Sequence, residues 1–190
     1  MTTTTLGGRY LTEEELLAAG FKSVGRNVKV HDRASLYGVE HISLGDHARI
    51  DDFTVIIATG PVTLGRYVSV PNFCFIGGRN GVELQDFVTL APGVKIFSAS
   101  DDYSGEWMVG PVVPRELTGG THGPVVMEPH VLIGAGTVVL PNCRIGEGCS
   151  VGALSLVRES LPPWGIYAGS PVCRLRDRKR EPLRLAERIR

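Results

Sequence analysis

Met127-Glu-Pro-His-Val131, Ile133-Gly-Ala-Gly-Thr137, Val139-Leu-Pro-Asn-Cys143, Ile145-Gly-Glu-Gly-Cys149, Val151-Gly-Ala-Leu-Ser155 and then Val157 form an unbroken register with an aliphatic residue every sixth position. Glycine often follows the aliphatic residue, and the fifth position is small or β-branched. Amphipathic helices require apolar recurrence at three and four residues, which this period does not supply. A fixed internal period marks stacked repeats instead. The pattern predicts a triangular coil of three short strands, each turning one aliphatic side chain to the axis, with corners that need small residues. Successive coils then stack at about 4.8 Å, so like side chains pile into ladders.

Toward the N-terminus the pattern changes length. Val24-Gly-Arg-Asn-Val28, Leu44-Gly-Asp-His-Ala48, Leu64-Gly-Arg-Tyr-Val68 and Leu84-Gln-Asp-Phe-Val88 start twenty residues apart. Each coil there is three hexads plus two extra residues at one corner. The expected architecture is an all-β solenoid over residues 24–160, inside a single domain spanning 1–190. Thr12 and Glu15 form a capping box, so a short helix is expected over 11–20, with Gly20 past its end and Leu16 and Leu17 covering the first coil. Pro162-Pro163 ends the repeat, and 161–190 reads as a basic tail whose terminal helix is a solvated cap or a phosphate contact.

Composition narrows the partners. The 190 residues carry a formal net charge of zero, which gives no argument for nucleic acid or a membrane surface and favours a small-molecule partner. No apolar run is long enough to span a bilayer, and Met1–Gly8 lacks the basic and apolar regions of a leader, so a cytoplasmic protein is expected. Cys74, Cys143, Cys149 and Cys173 form no CxxC pair. The first three occupy fifth hexad positions and read as small corner packers.

The register fails once, over about 97–126, where the chain runs Ser98-Ala-Ser-Asp-Asp-Tyr-Ser-Gly-Glu-Trp-Met and returns through Thr121-His-Gly-Pro124. An insertion of this kind forms a loop on one face of a repeat protein, frequently the functional one. Carboxylates, aromatics and a histidine are concentrated there.

With these hexads, this excursion and the ending Gly165-Ile-Tyr-Ala-Gly-Ser-Pro-Val-Cys-Arg174, the chain resembles the left-handed β-helix hexapeptide-repeat acyltransferases. Ile133-Gly-Ala-Gly136 and Ala168-Gly-Ser-Pro171 look like segments of galactoside and maltose O-acetyltransferases. Ser100-Asp-Asp-Tyr-Ser-Gly105 and Leu161-Pro-Pro-Trp-Gly165 are similar to transferases of polysaccharide and nucleotide-sugar biosynthesis, including those that acetylate 4-amino-4,6-dideoxy sugars. Only this resemblance implies a left-handed turn, since parallel crossovers are right-handed in about 98% of cases. It also implies transfer of an acetyl group from acetyl-CoA to a hydroxyl or amino group of a sugar or nucleotide-linked sugar, in surface polysaccharide biosynthesis. A homotrimer with sites at subunit interfaces is implied as well, with no metal required. Ala135 and Ala153 match backbone positions along the pantetheine arm, and Arg174 and Lys179 are the candidates for the CoA phosphates.

Acyl transfer from a thioester needs a base for the acceptor proton and a donor for the oxyanion, the latter expected from a backbone N–H. His122 is the candidate base, against the alternative that it only fixes the loop. Galactoside-type enzymes carry their catalytic histidine near the start of this excursion, where the present chain has Ser100-Asp101-Asp102. A carboxylate could therefore fill the role, or an amine acceptor could need little base. Asp101 and Asp102 orient the histidine, bind sugar hydroxyls or are solvated turn residues. Tyr103 and Trp107 stack on a sugar or nucleotide, or anchor the loop. His31, His47 and His130 point outward, and His41 lies in a corner insertion. Two other readings stay open: a non-catalytic scaffold or sugar-binding solenoid, and a γ-type carbonic anhydrase, which would need three converging histidines where only His122 and His130 lie close in sequence.

Overall fold

The computed structural model describes residues 7–189. Three parallel sheets enclose a triangular prism. The first face stacks Ser23–Val24, Ile42–Leu44, Val62–Leu64, Val82–Leu84, Val125–Met127 and Arg144–Ile145. The second stacks Lys29–Val30, Arg49–Ile50, Ser69–Val70, Thr89–Leu90, Leu132–Ile133 and Ser150–Val151, and the third runs from Ser35–Tyr37 through Val55–Ile57, Phe75–Gly77, Lys95–Phe97 and Val138–Val139 to Leu156–Val157. The aliphatic first position of each hexad supplies the inward ladder: Leu36 pairs with Ile56, Ile56 with Ile76, Ile76 with Ile96, Ile96 with Val139 and Val139 with Val157. Burying each such side chain contributes about 1.5–3 kcal/mol. The register survives the excursion, since Leu84 pairs with Met127 across it.

Small polar residues at the fifth positions bond to main chain inside the prism. The Thr54, Thr137 and Ser155 hydroxyls donate to the carbonyls of Pro71, Gly152 and Gly152. Cys74 and Cys143 are buried beside them, and burial pushes both thiols up to about 11. The hexad corners turn through left-handed residues that are often not glycine. His47, Tyr67, Phe87 and His130 all have φ near +60° and stack in one column, with centroid separations of 4.5, 5.2 and 5.0 Å. Stacking of about 0.5–1.5 kcal/mol per pair offsets much of the cost of that backbone conformation. His47 and His130 do point outward, and the column gives them a packing role; desolvation of His130 lowers its pKa.

Both ends depart from expectation in detail. The helix occupies Glu13–Ala18 with its capping box formed, but only Leu16 is buried against the first coil; Leu17 faces solvent. Pro162-Pro163 does not end the solenoid. Gly165–Gly169 adds one more parallel strand beside Ser150–Val151, and Val172–Asp177 folds back antiparallel on it. The basic tail is thus a strand before it is the helix Glu181–Ala186. Arg178 fastens it, its guanidinium donating to the carbonyls of His130, Gly148 and Cys149 at 2.8, 3.0 and 3.2 Å.

Candidate active site

The excursion leaves the corner between the third and first faces as a two-stranded antiparallel ribbon. Ala99–Asp101 pairs with Gly120–His122 in the register Ala99 to His122 and Asp101 to Gly120. Alternation along the strands puts the Asp101 and His122 side chains on the same side of this ribbon. Both line two adjoining cavities of about 500 and 430 Å³, the second also lined by Tyr103. No ion pair joins His122 to Asp101 or Asp102 among the described residues, so neither carboxylate orients the imidazole directly.

Buried polar groups explain why the ribbon stands where it does. The Ser98 hydroxyl, inaccessible to solvent, donates to the Gly77 carbonyl at 2.8 Å and accepts from the Asn80 N–H at 2.8 Å. The Ser98 carbonyl accepts from the Gly123 N–H at 3.1 Å. One residue therefore ties the outgoing strand, the returning strand and the turn carrying Arg79. Asn142 pins His122 from the next coil, its Nδ2 donating to the His122 carbonyl at 3.1 Å. Gly123 is required for that approach, because a Cβ there would lie 1.6 Å from Asn142 Oδ1. The main chain of His122 is fixed while its side chain stays exposed toward the cavities.

Asp102 has a different task. Its carboxylate accepts from the Ser104 hydroxyl and from the main-chain N–H groups of Ser104, Gly105 and Glu106, with a longer contact to that of Trp107. The Ser104 hydroxyl above all, with the backbone donors, holds this carboxyl below its usual pKa. Asp102 thus shapes the loop tip. Trp107 is half exposed and lies against Gly119, where a Cβ would come within 2.4 Å of the indole. Tyr103 is 92% exposed and free to meet a ligand. On the ribbon's other flank a cavity of about 590 Å³ is lined by Asp101, Tyr103, Thr121, Leu156 and Arg158.

The residues expected along the cofactor lie elsewhere. Ala135 and Ala153 sit exposed on adjacent coils at the corner between the second and third faces, where the Leu154 N–H donates to the Ala135 carbonyl. Arg174 bonds to Asp177, and Lys179 is exposed without an ion-pair partner among the described residues. None of these four lines the cavities beside His122. A single chain therefore unites His122, Asp101 and Tyr103 but not the two halves of the expected site. Residue type and spacing do not single out Ser98, Asn142, Arg79, Arg115 or Arg158 in the sequence. The one signal for Arg79 was its place in a two-residue corner insertion next to the excursion. Among the described residues no three His, Cys, Asp or Glu side chains gather as a metal site.

Comparison with known proteins agrees with this architecture. The family model "Bacterial transferase hexapeptide (six repeats)" matches residues 124–159. The chain is 40% identical to an Escherichia coli dTDP-4-amino-4,6-dideoxy-D-glucose acyltransferase, over 93% of this chain and 92% of that one. It superposes with a TM-score of 0.92 and 39% identity on AntD, an N-acyltransferase from Bacillus cereus in complex with dTDP and 3-hydroxybutyryl-CoA, covering 96% of each chain. A maltose O-acetyltransferase from Clostridium difficile shares the fold at 21% identity and a TM-score of 0.58. The solenoid and its excursion define an acyltransferase of the parallel β-helix class. The chain belongs to the hexapeptide-repeat transferase family, and the left-handed β-helix expected from the resemblance fits these neighbours. The expected CoA-dependent transfer to a sugar is the chemistry of these relatives, which removes the grounds for the scaffold and carbonic anhydrase readings.

Proposed function

We propose that this protein transfers an acyl group, acetyl in the reading from the sequence, from acyl-CoA to the amino group of a nucleotide-linked amino-deoxy sugar. The observation that carries the reading is the ribbon, which gathers His122, Asp101 and Tyr103 on a chain matching an amino-sugar N-acyltransferase along almost its whole length. An amine arrives protonated at neutral pH. Asp101 accepts a hydrogen bond from the ammonium and holds it in place. His122 takes one proton, which frees the nitrogen lone pair to attack the thioester carbonyl. A main-chain N–H stabilises the tetrahedral oxyanion. Its collapse forms the amide and breaks the C–S bond, and the departing thiolate takes the second proton from nitrogen.

The full site is assembled between copies in a homotrimer. Tyr37, Ile57, Phe75, Phe97, Val138 and Leu156 lie along the outer side of the third face, with Tyr37 and Ile57 exposed. Covering this strip with a second copy brings a ridge like Ala135 and Ala153 toward the His122 of its neighbour, with Arg174 and Lys179 near the CoA phosphates. We place the reaction in the cytoplasm, the compartment expected from the sequence; no helix among the described residues is long and apolar enough to cross a membrane. Surface polysaccharide assembly is the process that uses such a product.

Thiol release from acetyl-CoA, measured with dTDP-4-amino-4,6-dideoxyglucose and with the matching 4-hydroxy sugar, tests this reading. Release with the amino sugar alone is expected. Equal turnover of the hydroxy sugar would make the protein an O-acyltransferase. Silence with both, together with no CoA binding, would overturn the proposal.

A further inference from the structure

Two arginines converge on the larger of the cavities that His122 and Asp101 line. Arg79 projects from the two-residue corner insertion of the coil before the excursion, and Arg115 opens the short 3-10 turn Arg115–Leu117 within it. Four arginines elsewhere on the solenoid are committed to neighbouring carboxylates: Arg26 to Asp46, Arg49 to Asp51, Arg66 to Asp86 and Arg144 to Glu128. Neither Arg79 nor Arg115 makes an ion pair among the described residues. Their main chains are nonetheless held in place. The Asn80 N–H is bonded to the buried Ser98 hydroxyl, and the Arg115 carbonyl accepts from the Thr118 hydroxyl at 3.0 Å. Two arginines without ion pairs among the described residues, on fixed backbone and lining one hollow, suit a ligand with two adjacent phosphates, because each planar fork can take phosphate oxygens in pairs.

We propose that Arg79 and Arg115 bind the diphosphate of the nucleotide-linked sugar and so set the distance from that diphosphate to His122. The inference rests on the acceptor named above. Acyl-CoA also carries a diphosphate, but its thioester lies a whole pantetheine arm away. In a nucleotide sugar, only one pyranose ring separates the diphosphate from the reacting amine. Here the cations line the same cavity of about 500 Å³ as His122 and Asp101, as a diphosphate one ring away from the reacting amine requires. Asp101 on the same wall completes the polarity, anionic toward the ammonium and cationic toward the phosphates. Arg79 and Arg115 are positioning residues that bind the acceptor at a distance from the reacting bond.

The test is titration calorimetry of wild type, Arg79→Gln, Arg115→Gln and the double variant with dTDP and separately with CoA, alongside steady-state kinetics. Each single change is expected to weaken dTDP binding by about tenfold and the double change by more, as for charge-assisted hydrogen bonds. The acceptor KM should rise in parallel, with CoA affinity and thermal stability unchanged. Arg79→Lys should recover part of the loss, since it keeps the charge without the fork. The dTDP affinity of wild type should fall with added salt. Undiminished dTDP binding by the double variant overturns the inference while leaving the acceptor class intact. Weakened CoA binding with normal dTDP binding also overturns it, assigning the cations to the cofactor. A wild-type protein that ignores dTDP altogether would exclude a dTDP-linked acceptor and overturn the inference with it.

Discussion

Ile96 and His122 flank the same corner, one inside the prism and the other outside it, and they are held by opposite means. Ile96 is fully buried between Ile76 and Val139, its counterparts in the coils before and after. His122 has no counterpart in any coil. Its place depends on a buried serine two residues beyond Ile96, on an asparagine in the following coil, and on the ribbon pairing itself. Repetition supplies stability to the solenoid, since each ladder side chain is fixed by its copies. The excursion escapes that averaging, and there unlike groups can be set side by side. This division predicts that changes in the ladder cost folding, whereas changes in the excursion cost rate.

The largest effect should come from charging the ladder. Ile76→Asp places an unpaired carboxylate where the wild-type side chain is wholly buried, a cost on the order of 4 kcal/mol or more. Equilibrium denaturation should show a collapsed midpoint or no folded protein. A variant with a wild-type transition would mean that the inner ladder does not carry the stability.

That contrast also explains what could be read from residues alone. The aliphatic periods of the C-terminal hexads and the twenty-residue coils before them fix the solenoid and its break, because an inward ladder leaves a direct imprint on sequence. The capping box of Thr12 and Glu15 was legible for the same local reason. The strand Gly165–Gly169 was not, since Pro162-Pro163 suggests an ending, while Trp164 and Arg178 secure the extra turn through contacts far apart in sequence. Within the site, His122 and Asp101 stood out by residue type. The separate duty of Asp102 became visible only when its carboxylate was seen wrapped by the following N–H groups. Asn142 looks like one more corner residue, and Arg79 and Arg115 are thirty-six positions apart in the chain.

A smaller effect is expected at the loop tip. Asp102→Asn removes acceptor capacity for the Gly105 and Glu106 N–H groups. Trp107 emission should shift and acceptor turnover fall by about tenfold, the scale of one misplaced binding loop, while the melting temperature hardly moves. The same site gives a pH dependence. The folded-state pKa of Asp102 is depressed below its ordinary 3.8, so its contribution is complete above that value and is lost as pH falls through the depressed one. Trp107 emission followed downward from pH 5 should therefore change below the usual carboxylate range, before the core unfolds. An unchanged spectrum in the variant would return Asp102 to the status of a solvated turn residue.

The smallest effect concerns thiols. Cys74 and Cys143, raised to about 11 by burial, and Cys149, also buried, should resist a thiol reagent at neutral pH, whereas exposed Cys173 reacts. Mass spectrometry after labelling, with and without denaturant, checks this. Rapid modification of all four in the folded state would contradict a tightly stacked prism.

The most direct test of the division between scaffold and site is His122→Ala, assayed for acyl transfer and thermal unfolding on the same preparation. A fall in kcat of about 10²-fold or more, the scale of a lost general base, with an unchanged melting temperature, is the predicted result. A wild-type rate, or a loss of activity that only tracks a loss of stability, would take the base role away from His122 and contradict the account.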